Sequence, residues 1–160
     1  MHKIITYTDG SCHTQLKIGT WASIIIYGDK KVKLTGMEQN TTHNRMEIKA
    51  CIESIRYIIE KVPSFEEINI YTDSQYVVGL LGRKNKLKTA NFLTKKGTSI
   101  QNPDLVQEFI VLLEKHPIKL LKVKAHQKKD EIENLNIEVD KMVRRLLREA
   151  VSNFSLTIDK

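Results

Sequence analysis

The sequence predicts an α/β domain, a mixed sheet with helices on its faces, and two observations carry that reading. Short runs rich in β-branched residues fill the chain as far as residue 37. Amphipathic runs with a period of three and four then alternate with further short strands, giving the order βββαβααβα. An opening meander requires antiparallel neighbours, whereas strands separated by helices require crossovers and parallel neighbours, so one sheet holds both pairings.

Residues 3–8 (KIITYT), 21–27 (WASIIIY) and 31–37 read as the meander, separated by turn material at Asp9-Gly10-Ser11 and Tyr27-Gly28-Asp29. From 44 to 61, Met46, Ala50, Cys51, Ile55, Ile58, Ile59 and Val62 mark a helix that Pro63 stops, with Glu47 in its first turn. Residues 68–72 (INIYT) form a strand. Asp73-Ser74 then offers N-cap chemistry to a short helix through Tyr76, Val77, Leu80 and Leu81, which Gly82 can end. The stretch 83–102 has weak apolar periodicity and many Lys and Arg, and reads as a basic, irregular excursion. Pro103 suits the first position of the next helix; Leu105, Phe109, Leu112 and Leu113 give its buried stripe, and Pro117 closes it. A strand at 118–123 leads to the most regular helix, marked by Leu135, Val139, Met142, Val143, Leu146, Leu147 and Ala150, with Asp140 abutting the stripe. Residues 1–150 thus read as one domain and 151–160 as a loosely held tail.

Composition narrows the function. Lys and Arg outnumber Asp and Glu by 26 to 19 in 160 residues, a formal charge of +7, so the surface suits a polyanionic partner as well as plain solubility. Cys12 and Cys51 are the only cysteines and have no zinc-type spacing, which favours a reducing, cytoplasmic setting. Residues 1–8 read as a strand rather than a leader, and no run approaches the roughly 18 apolar residues of a membrane span.

Asp9, Glu47, Asp73 and Asp140 are the candidate chemistry. The strands 3–8 and 68–72 should lie parallel and adjacent, and each leads into an Asp at the carboxyl edge where open α/β sheets place ligands. Glu47 and Asp140 reach that edge if their helices pack across it. Each acid also has a bland alternative: a turn residue at Asp9, a dipole partner at Glu47, an N-cap at Asp73, a solvated charge at Asp140. Converging carboxylates repel and need cations, and oxygen-only ligands select Mg²⁺ or Mn²⁺ over zinc.

Thr8-Asp9-Gly10-Ser11-Cys12, Thr41-Thr42-His43-Asn44-Arg45-Met46-Glu47, Tyr71-Thr72-Asp73-Ser74-Gln75-Tyr76-Val77, Val123-Lys124-Ala125-His126 and the NIEVD run ending at Asp140 occur in the order found in type 1 ribonucleases H, which the chain resembles over nearly its whole length. The resemblance implies a ribonuclease H-like fold with a five-stranded mixed sheet. It also implies endonucleolytic hydrolysis of the RNA strand of RNA/DNA hybrids with two Mg²⁺ ions per site (Mn²⁺ as an alternative), leaving 5′-phosphate and 3′-hydroxyl ends. By motif, Asp9, Glu47, Asp73 and Asp140 become metal ligands and catalytic acids, with Asp9 shared between the ions, and His126 a mobile catalytic histidine. Asn44 and Gln75 match RNA-strand contacts and Thr42 a DNA-phosphate contact. Lys84, Lys86 and Lys88 fall where many members carry a basic protrusion, so they are candidate nucleic-acid contacts. A monomer without membrane association is expected, and processivity is not.

The chain departs from its relatives in places. His43 stands where they often have Asn, the loop from Cys12 to Trp21 lacks a Gly/Pro-rich run, and the basic stretch has Phe92 but no Trp. Three rivals stand beside this reading: a non-catalytic hybrid-binding module, a DNA-acting integrase, transposase or resolvase on the same topology, and a zinc site drawn from Cys12, His13, His43 and Cys51.

Overall fold

The computed structural model describes residues 2–123 and 131–158. Strands β1 (His2–His13), β2 (Ile18–Tyr27) and β3 (Lys30–Glu38) form the meander. They are followed by α1 (His43–Lys61), β4 (Phe65–Thr72), α2 (Gln75–Thr89), α3 (Pro103–Lys115), β5 (Ile118–Lys122) and α4 (Glu131–Ile158). The sheet has five strands in the order β3-β2-β1-β4-β5, antiparallel through the meander and parallel across β1, β4 and β5. This is the expected mixed sheet, with β1 and β4 adjacent and parallel.

Alternation along the strands divides the core. Ile4, Ile25, Ile68 and Ile70 face α1, α2 and α3 and join Ile48, Ile52, Ile55, Ile58, Leu80, Val106 and Phe109 in the larger cluster. Tyr7, Ala22 and Ile24 face the other way and pack against Val139 and Val143 of α4. There the cross-strand neighbours Tyr7 and Tyr71 stack with ring centroids 4.8 Å apart. The Thr20 hydroxyl donates to the Val143 carbonyl at 2.8 Å and ties α4 to β2.

Several boundaries differ from the sequence expectation. Asp9-Gly10-Ser11 is not a turn. The β1–β2 ladder continues through Asp9↔Ala22, Gly10↔Trp21 and Ser11↔Thr20, and the chain reverses only after His13, where Lys17 N–H donates to the His13 carbonyl at 2.8 Å. Gly82 does not end α2, which runs on to Thr89. The interruption in its stripe is Lys84, half-buried between the buried Leu80 and Leu87. The basic stretch is therefore two further helical turns plus a turn region pinned to the main core by Phe92 and Ile100, with Leu93 bridged to Ser99. Ile59, assigned to the buried stripe of α1, is 40% exposed. The supposed tail is helical to Ile158, because half-buried Val151 and Phe154 prolong the α4 stripe.

Candidate active site

Gly10 brings the first two acids together. A Cβ there would lie 2.5 Å from the Glu47 nitrogen and 2.6 Å from the Met46 carbonyl carbon, so the start of α1 rests directly on the β1 backbone. A Cβ on Gly19 would meet Thr41 Cγ2 at 2.5 Å and Met46 Cγ at 2.6 Å, which extends the same seat onto β2. Thr42 caps α1 by accepting from Arg45 N–H at 3.1 Å. The Arg45 guanidinium then grips both Asp104 oxygens at 3.1 and 2.8 Å, fastening the start of α1 to α3 and holding the Asp104 carboxyl down at about 2. These contacts fix the segment that carries Thr42, Asn44 and Glu47.

Asp9, Glu47 and Asp73 each offer a carboxylate oxygen, and the three atoms lie within 4.8 Å of one another. Asp9 and Glu47 are buried, 7% and 6% exposed, while Asp73 stands at the open side. Asp140, carried by α4 on the opposite face of the sheet, lies outside that set of three but close enough to Asp9 and Asp73 to raise both. Three of the four bland readings fail on particulars. Asp9 lies within a strand; Glu47 is too buried for a solvated dipole partner; Ser74, not Asp73, caps α2, accepting from Val77 N–H at 3.1 Å.

Burial pushes the Asp9 carboxyl up to about 8, helped by the charge of Asp73 and the contact with Asp140 and opposed by the Gly10 N–H that donates to it at 2.9 Å. Burial and then the charges of Glu47 and Asp140 also raise Asp73. Without a cation the cluster holds a proton. Two bases stand against it: the His43 imidazole hydrogen-bonds Glu47 one turn away, a contact that raises the His43 pKa, and Arg144 Nε donates to Asp140 Oδ1 at 3.1 Å. The i,i+4 spacings of His43 with Glu47 and Asp140 with Arg144 were readable signals for both contacts. The need for Gly10 to lack a side chain was not, since it rests on how α1 docks.

Oxygen donors alone, crowded enough to retain a proton, fit a hard divalent cation such as Mg²⁺ or Mn²⁺. The alternative zinc set does not assemble among the described residues. Cys51 is fully buried against the Thr8 hydroxyl, and burial pushes its thiol up to about 12.

The remaining described candidates lie on α1 and α2. Asn44 shares the wall of an open pocket of about 320 Å³ with Tyr76, Arg83 and Gln101. Gln75 opens α2 and accepts from Lys122. Lys84, Lys86 and Lys88 lie on the second half of α2, where Lys88 is shared with Glu114 at 2.9 and 3.2 Å. His126 lies outside the described residues.

The ribonuclease H family model matches residues 1–148. The chain belongs to the ribonuclease H family. A relative from Caldicellulosiruptor saccharolyticus, named Ribonuclease H, is 35% identical over 151 residues, covering 93% of this chain and 99% of that protein. One from Wolbachia pipientis wMel, with the same name, is 35% identical over 150 residues, covering 92% and 97%. By this membership the chain is an endoribonuclease. Among solved structures, a type 1 RNase H with the type 2 active-site motif superposes with a TM-score of 0.77 at 22% identity, covering 93% of this chain and 74% of that one. A foamy viral protease-reverse transcriptase in complex with dsDNA gives 0.71 at 15% identity, covering 89% and 92%. Both likenesses speak to the fold, and α4 runs ten residues beyond the family match, from 149 to 158.

Proposed function

We propose that this ribonuclease H hydrolyses the RNA strand of RNA/DNA hybrids at a divalent-cation site made by Asp9, Glu47, Asp73 and Asp140, leaving 5′-phosphate and 3′-hydroxyl ends. The observation that carries the reading is the three oxygens within 4.8 Å around an Asp9 carboxyl raised to about 8, an arrangement with little use except to receive positive charge. A pair of Mg²⁺ ions, when bound, supplies an activated water and stabilises the departing oxygen. The chain contributes the frame: Asp9 at the centre, Glu47 fixed by its seat on Gly10, Asp73 freed from capping by Ser74, and Asp140 brought by α4.

Substrate recognition in this reading belongs to the rim. Thr42 and Asn44 sit on the fixed start of α1, Gln75 opens α2, and Lys84, Lys86 and Lys88 extend from it toward a phosphate backbone. Reading 2′-hydroxyls in a wide minor groove requires polar side chains of this kind beside the reacting edge. His126 serves as a proton carrier, tested by the loss of a limb from the pH–rate profile in His126→Ala. The reading extends to a monomer in a reducing cytoplasm, in keeping with free Cys12 and Cys51; no described helix is long and apolar enough to cross a membrane.

The deciding experiment incubates end-labelled hybrid, single-stranded RNA and duplex DNA with the protein, with and without Mg²⁺ or Mn²⁺. Cation-dependent cleavage confined to the RNA of the hybrid is the expected result. Cleavage of duplex DNA would favour the integrase-like rival, and hybrid binding without turnover the non-catalytic module.

A further inference from the structure

We propose that Arg144 is a positioning residue that sets the affinity of the acid cluster for divalent cations by holding Asp140 in the metal-free enzyme and competing with the incoming ion for it. The inference rests on the cation-site reading above. Arg144 Nε donates to Asp140 Oδ1 at 3.1 Å, and Asp140 in turn stands beside Asp9, whose carboxyl it acts on at the centre of the cluster. The pair is an i,i+4 contact on α4 with the basic member C-terminal, the orientation that such pairs favour. The Arg144 side chain is 67% exposed, so it is free to withdraw.

Arginine stays charged at every working pH, so the competition lies in position rather than in titration. A fixed positive charge one helical turn from a divalent ion opposes its binding, and relief of that repulsion in water corresponds to about three- to tenfold in affinity. The neighbouring Arg145 provides a charge-matched comparison. Its side chain is 76% exposed, and its Nε donates to Glu149 at 3.2 Å, away from the acids.

The test is calorimetric titration of Mn²⁺, and separately of Mg²⁺, into the full chain without substrate, at one pH and low salt. Arg144→Ala and Arg144→Gln should bind about three- to tenfold more tightly than the parent, with the gain shrinking as salt rises. Arg144→Lys, which keeps the charge, and Arg145→Ala, which removes an equal charge elsewhere, should stay within about twofold of the parent. Unchanged or weaker binding in both neutral Arg144 variants would overturn the proposal. An equal gain in Arg145→Ala would reduce the effect to net charge and overturn it as well. Should the parent itself take up neither ion, the cation-site reading falls and takes this inference with it.

Discussion

The two faces of the sheet deliver their acids by different means. On one face Glu47 comes from a helix whose Ile48, Ile52, Ile55 and Ile58 are fully buried and whose first turn rests on the β1 backbone at Gly10. On the other, Asp140 comes from a helix with only Val139 and Val143 fully buried among its described side chains, and is itself 37% exposed. One acid is fixed by close packing, which transmits any misfit; the other is held by a thin apolar contact and a polar neighbour, and keeps room to adjust. The difference teaches that this cluster is half deeply packed frame and half lightly packed arm.

Asp9 lies where the faces meet, so its loss should do the most damage. Asp9→Asn is expected to lower cleavage by at least about a thousandfold, as removal of a central catalytic group does. The same change should strengthen the metal-free fold. With a folded pKa of about 8 against an ordinary value of 3.8, Asp9 binds more proton in the native state between those values, so native stability falls as pH rises across that window. Asparagine removes this dependence. Urea melts without metal should show the variant more stable by roughly 1–3 kcal/mol at pH 9, with little difference near pH 4. Wild-type cleavage would remove Asp9 from the site, and equal stability at both pH values would remove the trapped proton.

Gly10→Ala attacks the rigid side alone. Its Cβ would meet backbone rather than a flexible side-chain tip, so α1 must lift from β1, at a cost of about 2–3 kcal/mol with weakened Mn²⁺ binding. Thermal melts and calorimetry check both. A neutral substitution would mean that Glu47 is not held by this seat.

How far the sequence reveals this structure follows the same division. The order of elements along the chain, the parallel β1–β4 pair and the meeting of Asp9 with Asp73 were readable because motif segments and hydrophobic periods are local. The ends of elements were not. Asp9-Gly10-Ser11 has turn composition, yet pairing with Ala22, Trp21 and Thr20 overrides it; Gly82 looks like a stop, yet Leu87 carries α2 past it into the core. Ser74 and Asp73 offer equally good caps on paper, and only the hydrogen bond to Val77 shows that Ser74 takes the role and Asp73 is left free of it.

The lightly packed arm has its own test. Val143→Ala should cost about 1–2 kcal/mol, yet weaken Mn²⁺ binding several-fold by loosening Asp140. Ile55→Val, from the packed face, should cost about 0.5–1.5 kcal/mol and leave Mn²⁺ affinity unchanged. Equal effects on affinity would erase the contrast between the faces.

The smallest effect concerns which face grips the substrate. In an Asp9→Asn background, replacing Lys84, Lys86 and Lys88 by Gln should weaken hybrid binding and reduce its dependence on salt, by about 0.9 in log–log slope for each phosphate no longer neutralised. Lys88 is already shared with Glu114 at 2.9 Å, so the fall should be nearer that of two phosphates than of three. Affinities measured across a NaCl series give the slope directly. An unaltered slope would make α2 a solvated flank and shift the phosphate grip to the arm, where Lys141, Arg145 and Arg148 stand exposed along α4. The helix that carries Asp140 would then also follow the duplex, and the packed face would serve only to hold Glu47 still.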